Sequence, residues 1–312
     1  MLTTWAPQGT NSWNQYWLGP RGGPGLGAAP AVAYPTSSTP NVTVQINFPG
    51  SCNAGSPVTV AIPAGTDVGT GNSENKLTVM LPNGDEWDFF DITPPNTATF
   101  NYTNEGGPAS CAPNGNWQAL EAVKHSPGWT GPGSTSAQWS DSNIPFGAGI
   151  IRKRDIVNTP AGGNWGHALM IDYSNNCARS GSPYPSFVYP ATTSDGNMIH
   201  TSITCAPMGA RWQLDPSINI DTWPSLVGKP EWLKQLCRTL QVYGGITGHS
   251  AVSQGNGDGI WTEWYGNLGG WKFPWQDQTT GAIANYYSPS MNVPADLLTH
   301  FRVINWTQWT GQ

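Results

Sequence analysis

The sequence predicts an all-β fold: a β-sandwich or jelly roll with one covering α-helix over about 230–243 and long irregular loops. Three observations carry this. Short alternating or continuous apolar runs recur between Gly, Pro and Asn punctuation, which is the spacing of packed sheets. A single stretch keeps helical periodicity over several turns. Composition supplies the third: 38 glycines, 28 prolines and 17 tryptophans with only 10% charged residues, against about 25% in a usual soluble domain, describe a turn-rich aromatic chain.

Residues 1–40, dominated by Gly, Pro, Ala and Ser, read as an irregular arm anchored by SWNQYW at 12–17. Residues 41–312 read as a single sandwich domain, because neither a repeat nor a fresh composition break divides them. Strands are expected at NVTVQINF (41–48), PVTVAIP (57–63), NKLTVMLP (75–82) and DEWDFFDI (85–92), then at ATFNYTN (98–104) and WGHALMIDYS (165–174). A second short helix is expected in WQALEAVKHS (117–126), with Leu120 and Val123 inward. The covering helix lies in KPEWLKQLCRTLQVYGG (229–245), where Trp232, Leu233, Leu236, Cys237 and Leu240 share a face and the Gly pair ends the run. Cys52 and Cys111 border turns, and Cys177 and Cys205 flank a Ser/Gly/Pro-rich loop, so those pairs are expected as disulfides and Cys237 as a buried thiol.

A content of 38% apolar residues with a net charge of −6 argues for a folded chain over a disordered one. With 13 Lys plus Arg against 19 Asp plus Glu, there is no electrostatic footprint for DNA or RNA, and a neutral ligand is favoured. The local run IIRKRDI at 150–156 is the one stretch suited to an acidic sugar. No apolar run is long enough to cross a bilayer. The start MLTTWAPQGT has neither a basic nor an apolar leader region, so any export signal has been removed or was never there, and a secreted location is expected. The histidines (125, 167, 200, 249 and 300) are scattered, with no His-x-x-x-His or Cys-x-x-Cys spacing. Neither a metal site nor a cofactor is expected, although NGDG at 256–259 offers oxygen ligands for a structural calcium. Esterase elbows, Walker loops and dinucleotide fingerprints do not occur.

Three acids inside one aromatic strand need an explanation, because buried carboxylates without partners are costly. Alternation in DEWDFFDI puts Glu86 and Asp88 on one face and Trp87 and Phe89 on the other. A one-residue bulge at Phe89/Phe90 would bring Asp91 onto the first face. Three carboxylates over one groove suit retaining glycoside hydrolysis, with a nucleophile, a proton donor and a central acid that separates their pKa values. The alternative is an edge strand with its acids in water. EWDFFD resembles the E-x-D-x-x-E strand of laminarinase- and lichenase-type glycoside hydrolases, which are bulged jelly rolls. That resemblance implies Glu86 as nucleophile, Asp88 as assisting acid and Asp91 as acid/base, with Asp standing where the family has its last Glu.

A wider resemblance covers about residues 60–250. The order GIIRKRDI, WGHALMIDY, SDG, APMGARWQLDPSINI and LCRTLQVYGGI, with IPAG and EWDFF upstream, is similar to a group of secreted, largely actinobacterial proteins without an assigned activity. Members carry an Asp-x-His where this chain reads SENKLTV.

His167 shares a strand face with Leu169 and Ile171. It is either a hydrogen-bonded rim histidine, or a general base, metal ligand or sugar-hydroxyl partner in the cleft of Glu86 with Arg152 nearby. Arg152 and Asp155 could equally form a salt-bridged strand end. Exposed indoles pack flat against sugar rings, so Trp87 and the WTEWYGN stretch, with Trp261, Glu263, Trp264 and Tyr265, are expected to line the substrate groove. The expected function is a secreted glycan-degrading enzyme, a retaining glycoside hydrolase on a neutral β-linked polysaccharide. Two alternatives stand beside it: a polysaccharide lyase on a uronate-containing glycan, in which His or Tyr takes a proton and Arg152 neutralises the carboxylate, and a non-catalytic carbohydrate-binding or surface module.

Overall fold

The computed structural model describes residues 3–4, 19–21, 30–47, 51–53, 55–68, 75–95, 111–112, 114–127, 142–173, 176–177, 184–194, 205–250, 259–263, 267–276, 278 and 292–303. Among them the strands are β1 (Thr3–Thr4), β2 (Gly19–Arg21), β3 (Ala31–Ala33), β4 (Asn41–Ile46), β5 (Val58–Ala61), β6 (Leu77–Met80), β7 (Glu86–Phe90), β8 (Trp117–Ala119), β9 (Glu121–His125), β10 (Leu169–Tyr173), β11 (Arg211–Leu214), β12 (Gly245–Ser250), β13 (Gly259–Trp261) and β14 (Phe301–Val303). The helices are α1 (Lys153–Asn158), α2 (Glu231–Val242) and α3 (Ala295–Leu298). The strands form three mixed sheets, ordered β5-β4-β8, β3-β6-β7-β9 and β1-β14-β11-β12-β10-β13-β2. The protein is thus mostly β with few and short helices, as the punctuated apolar runs predict.

Alternation along β7 decides the layering. Phe90 packs with Val32, Val123, Ile150, Met170 and Trp261, between the four-stranded and seven-stranded sheets. Phe89 points the other way, into Val44, Ile46, Val60, Leu77 and Trp117, against the three-stranded sheet. The four-stranded sheet is therefore covered on both faces. On the far side of the seven-stranded sheet, Leu169, Ile171, Trp212 and Leu214 meet Leu233, Leu236 and Leu240 of α2. Those three leucines are fully buried, each worth about 1.5–3 kcal/mol of removal from water. Helix α2 stops where Gly244 takes φ 73°, and the Gly244 N–H bonds back to the Thr239 carbonyl at 3.2 Å, a left-handed stop that glycine adopts without Cβ strain.

Two expectations are corrected. The segment 117–126 is not a helix: β8 pairs in parallel with β4 through Val44↔Trp117, and β9 pairs antiparallel with β7 through Glu86↔His125. Strand pairing within two different sheets overrides its weak helical spacing, and Val123 turns inward as residue three of an alternating strand. The arm 1–40 is not wholly irregular, since β1 and β2 form the two edges of the seven-stranded sheet and β3 an edge of the four-stranded one. Edge strands of two or three residues need no apolar alternation, and β2 carries Pro20, which an edge tolerates. The strand expected at 98–104 lies outside the described residues.

Disulfides join Cys52 to Cys111 and Cys177 to Cys205, and Cys237 is a buried free thiol. Such cross-links fit an oxidising compartment. Among the described residues no helix is long and apolar enough to cross a membrane. The bridged cysteines are 59 and 28 residues apart, so loop closure predicts a stabilisation of about 4.2 and about 3.6 kcal/mol respectively. A Cys52→Ser/Cys111→Ser double variant is expected to unfold at correspondingly lower denaturant, and an unchanged midpoint would show the constraint to be idle.

Candidate active site

The ladder through β7 carries no bulge. Leu77↔Phe89, Thr78↔Asp88 and Met80↔Glu86 on one side, and Glu86↔His125, Asp88↔Val123 and Phe90↔Glu121 on the other, run in unbroken register. Asp91 lies past the strand end at φ 47°, where its Oδ1 accepts from the Asn75 N–H at 3.2 Å. The trio foreseen from EWDFFD is thus reduced to Glu86 and Asp88, with Asp91 serving a turn. The physical reason is that β6 and β9 flank β7 on both sides, and an inserted residue would break two ladders at once. A register shift occurs instead between β10 and β12, where Ile171 pairs with Thr247 but Asp172 with His249.

Glu86 and Asp88 face the seven-stranded sheet from beneath a turn, Pro145–Gly149. The Gly147 N–H donates to Glu86 Oε1 at 2.7 Å, and Thr78 Oγ1 donates to Asp88 Oδ1 at 2.5 Å. His125 Nε2 stands 3.3 Å from Asp88 Oδ2. All these side chains are buried, Asp88 completely. Burial, and then the charge of Asp88, pushes the Glu86 carboxyl well above the usual range. Burial raises Asp88 to about 7 against the hydrogen bonds from Thr78, Glu86 and the Phe146 backbone. Burial lowers His125, which favours its neutral form. The result is a pair of carboxyls that holds a proton between the sheets. Trp87 is on the opposite face, half-buried and stacked 6.0 Å from Phe89, away from the pair.

A second cluster lies across the same turn. Arg152 precedes α1, and Asp155, three residues on, reaches back so that its Oδ2 accepts from the Arg152 backbone N–H at 2.7 Å and from Arg152 Nε at 3.3 Å. This is one half of a capping box: the carboxylate at the third helical position satisfies the N–H of the residue that starts the helix. His167 Nε2 is 3.2 Å from the same Oδ2, while its Nδ1 is 2.8 Å from the Ala168 carbonyl. His167 thus sits in the approach to β10, not within the strand as expected. Glu263 Oε2 accepts from the Lys153 N–H at 2.9 Å, and the Glu263 N–H donates to the Ile151 carbonyl at 2.9 Å. The Tyr34 phenol faces the Glu263 carboxyl and steadies its charged form. Arg152, Asp155, His167, Glu263 and Tyr34 therefore converge, with Glu263 1% exposed and Tyr34 at 42% the outer edge.

The environment drives these groups apart. Burial pushes Glu263 up to about 7, against the Lys153 N–H and Arg152. Burial also acts upward on Asp155, but the bond from His167 and the charge of Arg152 outweigh it and hold the carboxyl below its usual range. Burial first, then the negative charge of Glu263, raises the Tyr34 phenol well above the ordinary range.

Trp261 does not line a groove. It is 3% exposed, stacked 5.1 Å from Phe146 and packed within the middle cluster, because β13 is an interior strand of the seven-stranded sheet. Trp275 is likewise buried, whereas Trp271 is half-buried with Lys153 Nζ 5.6 Å from its ring. Trp264, Tyr265 and residues 256–258 of the NGDG turn lie outside the described residues. Among the described residues no group of three or more His, Cys, Asp or Glu is placed to hold a metal ion. Two contributors went unnoticed in the sequence. Tyr34 ends the short apolar run PAVAY with nothing around it to mark it. Lys76 is buried with Nζ 3.2 Å from His249 Nε2 and within 5.6 Å of the Phe90, Phe146 and Trp261 ring centres. Its position two residues before Thr78 gave the only sequence clue, since alternation puts Lys76 on the Asp88 face.

No protein-family profile, curated protein or solved structure matches this chain. What the arrangement can do is therefore read from its own groups. A carboxyl that keeps its proton near neutrality stands beside one that stays ionised, the condition for pairing a general acid with a charge-stabilising carboxylate. Arginine, histidine and tyrosine donors complete the set around them.

Proposed function

We propose that the protein is a glycan-degrading enzyme that works at Tyr34, Arg152, Asp155, His167 and Glu263, with glycoside hydrolysis as its reaction. The convergence of two carboxyls with three hydrogen-bond donors at one place carries this reading. Glu263 supplies the proton to the glycosidic oxygen as the bond to the anomeric carbon breaks. Asp155, ionised, answers the positive charge that develops on the sugar; water then bonds through its oxygen to the anomeric carbon and gives up a proton that restores the Glu263 carboxyl. His167 and Tyr34, at the outer edge, offer contacts to sugar hydroxyls. Relative to the strand motif, the acids that act are displaced from Glu86 and Asp88 to Glu263 and Asp155.

A second reading, β-elimination from a uronate-containing glycan, is favoured by one observation. Arg152, Lys153 and Arg154 are consecutive, against 13 Lys plus Arg in the whole chain; Arg152 and Arg154 act on the Tyr34 phenol, and Arg152 shares Asp155 with His167. Purified protein on a panel of plant, fungal and algal polysaccharides separates the readings. Hydrolysis releases reducing ends without ultraviolet absorbance, elimination gives both, and binding without either product leaves a carbohydrate-binding module and removes the enzyme proposal.

A further inference from the structure

The acids of β7 reach the second cluster through one residue. Gly147 donates its N–H to Glu86 Oε1 at 2.7 Å and accepts at its carbonyl from Arg152 Nη1 at 3.3 Å. The turn is wedged between sheets. A Cβ at Gly147 would lie 2.6 Å from Glu86 Oε2, and one at Gly149 would lie 2.7 Å from the Met170 backbone nitrogen. The Met170 N–H in turn donates to the Gly149 carbonyl at 2.7 Å. The turn is therefore pinned at one end to β10 and at its centre to the carboxyl of β7. Arg152 is held by that turn and by Asp155, itself a partner of His167.

We propose that Glu86, braced by Asp88, is a positioning residue: it holds Gly147 through its N–H, and the carbonyl of the same residue, on the next peptide plane, holds the Arg152 guanidinium toward Asp155 and the substrate. This rests on the reading that the Arg152–Glu263 cluster is where the glycan reacts. Glu86 does not touch substrate in this role. It supplies an oxygen acceptor at a fixed place, and Asp88, bonded to Thr78 Oγ1 and beside His125, fixes Glu86 in turn. The need for this is geometric. Shifting a binding group by about 1 Å can cost on the order of 10²-fold in rate, and a guanidinium on a loop has no strand of its own to fix it.

The variants Glu86→Gln, Glu86→Leu and Gly147→Ala test this. Glutamine keeps an acceptor oxygen for the Gly147 N–H, leucine removes it, and alanine at 147 drives the carboxyl away. Expected for Glu86→Gln is kcat/KM within about threefold of the parent, and for the other two a loss of about 10- to 100-fold at unchanged fold, judged by circular dichroism. An activity-independent readout accompanies these. Nitrogen-resolved NMR of the arginine side chains should show the Arg152 Nη protons held in the parent and in Glu86→Gln, and averaged by rotation in Glu86→Leu and Gly147→Ala. Should leucine at 86 not fold, alanine at 147 carries the test. Loss of activity in Glu86→Gln with Arg152 still held overturns the proposal, because Glu86 then acts on substrate itself. Arg152 signals equally held in Gly147→Ala also overturn it. A parent protein that degrades no glycan removes the functional reading alone, and the NMR result still decides the positioning claim.

Discussion

Glu263→Gln is expected to lower turnover on a glycan substrate by about 10²- to 10⁴-fold, the usual worth of a positioned proton donor. Glutamine is close in shape, and its amide oxygen can still accept from the Lys153 N–H that Glu263 holds at 2.9 Å, so the fold should survive. The proton is what disappears. In the parent, burial holds this carboxyl up to about 7. The acid form is therefore populated below that value and lost above it, and kcat should fall as pH rises through neutrality. Steady-state rates across pH 5 to 9 for both proteins check this. A variant with parental turnover, or a parent whose rate rises through neutrality, would remove Glu263 from the chemistry.

The second large effect is on stability. Asp88 has a folded-state value of about 7 against an ordinary 3.8, and Glu86 is raised as well. A carboxyl raised on folding binds more protons in the native state, so its contribution is fully present below its unfolded value and is lost as pH rises through the folded one. Wild-type stability should thus decline between about pH 4 and 7, by up to roughly 4 kcal/mol from Asp88 if it titrates alone. His125 opposes this. Its value is lowered, so it contributes stability as pH rises through the ordinary histidine range. Asp88→Asn cannot ionise and still accepts from Thr78, so its unfolding free energy should decline less over the same interval. Denaturant titrations at pH 4.5, 6 and 7.5 measure the difference, and parallel profiles for the two proteins would show that Asp88 holds no proton.

The sequence disclosed those parts of the fold that depend on local periodicity. The strands at Asn41–Ile46, Val58–Ala61, Leu77–Met80, Glu86–Phe90 and Leu169–Tyr173 fall inside alternating or apolar runs. The 12-residue helix follows from one apolar face and a glycine stop. Both disulfides follow from cysteines beside turns. Partners fixed by distant packing stayed hidden. Trp117 reads as the start of a helix until Val44 is known to pair with it. Trp261 looks like an exposed indole until its strand proves interior.

The candidate site was legible in its members more than in its arrangement. His167, Arg152 and Glu263 were each marked by residue type, and they do come together, but around Asp155 and not around Glu86. Glu86 and Asp88 share a face because strand period is two, which a sequence shows. That the face is closed by a second sheet depends on strand order, which it does not show. Tyr34 enters from a segment with no periodic signal at all.

One pairing bears on how the chain comes to be folded. Thr3 lies opposite Val303 and Gly19 opposite Gly259, so both rims of the widest sheet are closed by pairings between residues 300 and 240 positions apart. Contacts so far apart along the chain make for slow acquisition of the native state, and until they form, unsealed rims are open to neighbouring nascent chains.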